Sequence, residues 1–235
     1  MKRFYKNVTT AAVDGNWQVL LDGKPIRTPM RRVLHVPTLA LAQAIAIEWD
    51  LQGEELQVPA MRLTRLATTV VDLLPERQEP AVLQVMDYVG TDMLCYRASS
   101  PSDLVRRQDE VWQPWLDWLE RAFDVRLPVF QTMLPQEVAP QAQERLDRVV
   151  RGLDPWRLVA LHAAVTATGS LVLGLAMVEA VLPADEAFLV AELDSLYQVE
   201  QWGEDPEVTR RHVALRADLE AIGQFVTALA PPVGM

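Results

Sequence analysis

Between Leu158 and Val178 the chain carries no Asp, Glu, Lys or Arg. An uncharged run of that length either spans a bilayer or forms a helix at the centre of a packed domain. His162, Thr166, Thr168 and Ser170 put polar groups through its middle. It has no aromatic belt beyond Trp156 at one end, and no second run like it occurs. The reading is a buried central helix, with no membrane span. Half of the 235 residues are hydrophobic, which supplies a core for one large domain or two small ones.

With 22 basic and 32 acidic residues the net charge is −10. Such a chain has no electrostatic reason to bind nucleic acid or an anionic membrane. One cysteine, Cys95, excludes an intramolecular disulfide and fits a reducing compartment. Its neighbours Met93, Leu94 and Tyr96 predict a buried structural thiol. The N-terminal Met1-Lys2-Arg3-Phe4-Tyr5-Lys6 lacks the apolar segment of a secretory signal and the length of a transit peptide. The expected location is the cytoplasm.

The first third reads as β-rich. Asp14-Gly15 and Asp22-Gly23 are turn signals around Asn16–Leu21, and Val33–Val36 reads as a further short strand. The period then changes. Thr38 is a candidate N-cap for a helix carrying Leu41, Ile45 and Trp49 on one face. Leu63, Leu66, Ala67, Val70 and Leu74 form a second stripe. From about Glu76 helices follow nearly throughout. They include Ser102–Phe123 with Trp112, Trp115 and Trp118, an amphipathic helix over Pro140–Gly152, and a helix opened by Asp154-Pro155. One more runs from Pro183 toward Trp202, and a last from Pro206 to about Leu229. Val125–Phe130 reads as one isolated strand, and Ala230–Val233 as a fraying tail. The fold class is α+β. A small β-rich domain with one or two helices (residues 1–76) precedes a larger all-α domain (77–235).

Catalytic constellations are not evident. His35, His162 and His212 lie on separate elements without metal-ligand spacing. His162 reads as a hydrogen-bonded core residue and His212 as solvated. Thr168-Gly169-Ser170 lacks the Lys of a phosphate loop. Adjacent acid pairs such as Glu54-Glu55 and Glu204-Asp205 read as solvated surface. The three tryptophans, Trp112, Trp115 and Trp118, fit either core packing or an aromatic platform for a partner.

Several blocks together resemble one family. They are Arg3–Lys6 with Trp17–Pro29 (WQVLLDGKPIRTP), Leu41–Ala46 with Glu48–Gly53 (EWDLQG) and Met61–Leu66 (MRLTRL). Gly169–Leu173 and Gln198–Asp205 (QVEQWGED) follow downstream, supported by Leu94–Ala98 and Gln108–Trp118. The chain is similar in these to the ATP-twelve family, assembly chaperones for the alpha subunit of F-type ATP synthase. The resemblance implies a β-rich first domain and a helical second, and the lack of a transit peptide suggests a bacterial member. It implies a protein that binds the unassembled alpha subunit and shields the surface that later meets the beta subunit; no coiled-coil seam appears, and the free chain is expected to be a monomer. No cofactor, metal or catalysis is implied. Trp202, Gly203 and Asp205 match the family's pattern. The segment before Trp-Gly is richly acidic in the family, whereas Leu193–Gln198 holds one carboxylate, Asp194, with Glu200 following, so Asp194 and Glu200 are both candidates for the acidic partner-binding residue. A structural alternative stands beside this: Trp202-Gly203 closes a helix and Asp205 caps the next. The rival functional readings are a general adaptor with another client and an enzyme.

Overall fold

The structure is a computed structural model and describes residues 1–132 and 137–230. Two tight turns set its sheet. Asp14-Gly15 and Asp22-Gly23 each place an Asp (φ 50° and 47°) and a Gly (φ 78° and 79°) in the left-handed region. That is the backbone a two-residue hairpin loop needs to match strand twist. The turns join β1 (Val8–Val13) to β2 (Asn16–Leu21), and β2 to the short β3 (Lys24–Pro25). The β1–β2 register runs from Val8↔Leu21 to Val13↔Asn16. β4 (His35–Val36) also pairs with β2, at Trp17 and Gln18, which leaves β1 as one edge of the sheet.

Helix α1 (Leu39–Asp50) packs on β1 and β2 and buries Leu41, Ala42 and Ile45. The Thr38 hydroxyl accepts from Leu41 N–H, as its capping role requires. α1 ends three residues before Gly53, at Asp50. Its last turn organises its surroundings. The Glu48 carboxylate accepts from Leu63 and Thr64 N–H at 2.7 and 2.8 Å and so caps α2 (Arg62–Asp72). The Trp49 indole donates to Thr64 Oγ1. Arg3 donates to the carbonyls of Asp50 and Gln52 at 2.9 and 2.5 Å, and its guanidinium lies 4.6 Å from the Tyr5 ring centre. At the far end of α2 the buried Asp72 accepts from the Thr28 hydroxyl and from Met30 N–H. The phrases RFYK, EWDLQG, MRLTRL and IRTP therefore serve this network.

By contacts the chain forms two compact units, Met1–Gln78 with Gln224–Met235, and Glu79–Gly223. The end of the last helix thus groups with the sheet. Within that first unit the Thr38 hydroxyl donates to the Ala228 carbonyl at 2.5 Å. α3 (Leu74–Met86) carries the chain into the second unit. There follow α4 (Ser102–Phe123), α5 (Pro140–Arg151), α6 (Pro155–Thr168), α7 (Leu171–Val178), α8 (Ala184–Ala191), α9 (Leu193–Trp202) and α10 (Pro206–Leu229).

The uncharged run forms two helices where one was expected. Gly169 (φ 72°) closes α6 in the left-handed region, and the Ser170 hydroxyl accepts from Leu173 N–H to open α7. Every residue of α7 is buried. The fully buried Asp92 fixes the break, accepting from the Ser170 hydroxyl and Val172 N–H at 3.0 Å each. No helix of the described residues is long and apolar enough to cross a membrane. The helix expected from Pro183 is also broken, at Glu192, where α8 ends and α9 begins. Val125–Phe130 is not a strand. Pro128 lacks the N–H a ladder needs, and only Phe130 bridges Tyr96. Cys95 is buried, and burial pushes its thiol pKa up, as expected of a structural cysteine. The tail expectation falls on residues outside those described, apart from Ala230.

Candidate partner-binding site

The five residues singled out in the sequence all lie on α9 and the link to α10, and they divide into two groups. Asp194 and Glu200 face α4. The buried Gln108 of α4 donates to Asp194 Oδ1 at 2.8 Å, while its own carbonyl oxygen accepts from Ala98 N–H. Arg107 pairs with Glu200 at 2.6 Å, and its guanidinium lies 5.3 Å from the Tyr197 ring centre. The Tyr197 hydroxyl donates to the Asp103 carboxylate at 2.9 Å, which holds that carboxyl below its usual pKa; the Glu200 carboxylate raises the Arg107 pKa. Both carboxylates are thus already partnered within the chain.

Trp202, Gly203 and Asp205 form the second group. α9 ends at Trp202, and Gly203 takes φ 91°, a conformation L side chains rarely adopt. Asp205 caps α10, its carboxylate accepting from Glu207 N–H at 2.7 Å and its carbonyl from Thr209 N–H at 2.9 Å. The capping expectation therefore holds for Asp205. It does not account for Trp202, which is 78% exposed and does not pack the helix end. An exposed tryptophan thus ends α9, with Glu204, Asp205 and Glu207 exposed after it. That arrangement presents an apolar anchor with an acidic rim.

Sequence reading missed a neighbouring cluster. Glu192, buried at the α8–α9 junction, accepts from Arg211 at 2.7 and 2.5 Å. His212, expected in solvent, is largely buried; its Nε2 lies 2.9 Å from Ser195 Oγ and 3.1 Å from Glu192 Oε2. Hydroxyl and carboxylate share one ring nitrogen, whereas an acyl-transfer triad places them on opposite nitrogens. The cluster ties α10 to the α8–α9 junction. Arg107 and Gln108 were equally hidden, because nothing local in Arg106-Arg107-Gln108-Asp109-Glu110 marks their distant partners.

The tryptophan-rich helix resolves by residue. Trp112 is core, its indole donating to the Val190 carbonyl at 2.9 Å. Trp115 and Trp118 are half-buried and stack edge-on at 6.4 Å. His162 is not fully core: it lies 3.0 Å from Gln84 Oε1 and lines a cavity of about 330 Å³ with Asp87, Tyr88 and Thr166. Burial lowers its pKa, which favours the neutral ring. Among the described residues no group of three or more His, Cys, Asp or Glu is placed to hold a metal.

Residues 2–120 match the family described as ATP12 chaperone protein. The crystal structure of Atp12 from Paracoccus denitrificans superposes with a TM-score of 0.91, at 36% identity over 97% of this chain and 98% of that one. Protein atp12, mitochondrial, of Schizosaccharomyces pombe is 25% identical over 86% of this chain and 74% of its own length. Protein ATP12, mitochondrial, of Saccharomyces cerevisiae is 24% identical over 90% and 79%.

Proposed function

The chain belongs to the ATP12 chaperone family, and from that premise we propose that it is an assembly chaperone of F-type ATP synthase, holding the free alpha subunit until the beta subunit replaces it. A free subunit of a hetero-oligomer exposes apolar interface that aggregates. A chaperone for it must cover that surface and still yield to the true partner, which favours a small apolar anchor within a polar rim.

Trp202 is the observation that carries this reading. A large aromatic side chain at 78% exposure buries little of its surface in the isolated chain. Gly203 and Asp205 set the backbone that follows it. Glu200, half-exposed despite its pairing with Arg107, adds a carboxylate on the same helix. Asp194 sets the face of α9 against α4 through Gln108.

The test is a binding assay with purified alpha subunit. The folded chain captures it, suppresses its aggregation and releases it when beta subunit is added. Trp202→Ala keeps the fold and loses capture. A folded wild-type chain that leaves alpha subunit aggregation unchanged overturns the proposal. A pull-down dominated by some other protein replaces it with the adaptor reading.

A further inference from the structure

The outer edge of β1 is open and uncharged. In a two-residue hairpin the flanking pair, Val13↔Asn16, exchanges both backbone hydrogen bonds, and the pairs then alternate. Ala11↔Gln18 and Thr9↔Leu20 are therefore bonded, and Asp22 N–H continues the series by donating to the Asn7 carbonyl at 2.9 Å. The N–H and C=O groups of Val8, Thr10 and Ala12 consequently point away from β2. No strand pairs with them among the described residues. The edge reads Val-Thr-Thr-Ala-Ala-Val. It contains no proline, lysine or bulge, the devices that normally block edge-to-edge pairing.

We propose that this edge pairs with the same edge of a second copy, giving a weak two-fold symmetric dimer with one sheet continuing across both chains. The edge is complementary to itself. Among antiparallel registers only one engages all three outward residues: Thr10 faces Thr10 on the axis, and Val8 faces Ala12 on either side. The same register sets Lys6 of each copy opposite Asp14 of the other. Both residues are exposed, and Asp14 stands in the turn that ends β1. Opposite charges thus flank the ladder just beyond both its ends. Two uncharged strands of six residues, four of them β-branched, meet between them. The interface is small, so the free chain is monomeric when dilute and dimeric when concentrated. Self-pairing would also cover a strand edge that could otherwise pair with a client's strands.

The experiment is sedimentation equilibrium across a concentration series, with amide hydrogen exchange read at Val8, Thr10 and Ala12. The expected result is a mass that rises toward twice the monomer, with exchange at those three amides slowing in step. Lys6→Glu faces Asp14 with a like charge, and dimer formation weakens about tenfold, a difference of about 1.4 kcal/mol. Thr10→Pro removes an outward N–H while sparing the β2 ladder; it abolishes dimerisation, with circular dichroism confirming the fold. A monomer at every concentration overturns the proposal, as does a dimer indifferent to both substitutions. Protection of the three amides that appears only on adding another protein also overturns it, and assigns the edge to an extended client segment.

Discussion

Glu48 and Thr64 are joined twice at the junction of α1 and α2: the carboxylate accepts from Thr64 N–H at 2.8 Å and from its hydroxyl at 2.8 Å, and it also accepts from the preceding Leu63 N–H at 2.7 Å. One side chain thus satisfies the first donors of a helix that starts without a capping residue of its own, since Met61 cannot cap. Glu48→Ala leaves those N–H groups unsatisfied in a half-buried site. The expected cost is about 2 kcal/mol in denaturant unfolding, with Glu48→Gln costing less because an amide oxygen still accepts.

Asp92 gives the second unit a pH dependence. Burial raises its pKa from 3.8 to about 6, against the opposing effect of Val172 N–H, the Ser170 hydroxyl and Leu94 N–H. The unfolded chain therefore releases this proton first as pH rises. The stability that the group contributes is full below about pH 4, declines between about 4 and 6, and is constant above. Asp92→Asn removes that decline. Below about pH 4 it costs about 1–3 kcal/mol, because an amide cannot accept on both sides and one buried N–H loses its partner, and the cost shrinks as pH rises toward 6. Unfolding curves of both proteins from pH 4 to 7 test this; equal slopes between pH 4 and 6 refute it.

Gly174 marks where α6 and α7 come closest. A Cβ there would lie 2.6 Å from Val165 Cγ2 and 3.0 Å from Leu161 Cδ1. Gly174→Ala overpacks this contact, and the expected destabilisation is about 1–3 kcal/mol despite the better helix propensity of alanine. A gain in melting temperature would contradict the close packing.

Trp202 separates binding from folding. Trp202→Ala shifts unfolding stability by no more than about 0.5 kcal/mol, as for an exposed side chain. It weakens capture of alpha subunit by about 2 kcal/mol or more, near thirtyfold, as for an anchoring aromatic. In the free wild-type chain Trp202 contributes a red-shifted, quencher-accessible share of the emission, and client binding shields it. Unaltered quenching in the presence of bound client would move the contact elsewhere on the chain.

Glu192 extends the same test. Glu192→Gln loosens the ion pair with Arg211 and the contact with His212, which tie α10 to the α8–α9 junction. Client affinity is expected to fall by several-fold while Trp202 remains in place. Hydrogen exchange is expected to rise over the amides of 203–212, and an unchanged exchange pattern would remove Glu192 from the positioning of this segment.

Local chemistry was legible in the sequence wherever a residue acts on its own neighbours. Asp14-Gly15 and Asp22-Gly23 specify hairpins because the turn needs two left-handed residues in a row. Thr38, Asp154 and Asp205 specify helix starts because a short oxygen-bearing side chain reaches only the nearest N–H groups. The α+β order and the family-like phrases followed from the same kind of signal. Tertiary structure alone decided the rest. It showed that Asp92 splits the uncharged run into two helices, from a position far away in sequence. It showed that Arg107 and Gln108 face Glu200 and Asp194, and that Glu192 breaks a helix to reach Arg211 and His212. These residues are polar, and a polar residue carries no periodic mark of whether solvent or a distant partner will satisfy it. Trp202 is the converse: composition assigns a tryptophan to a core, and only the packed chain leaves this one with nothing to pack against.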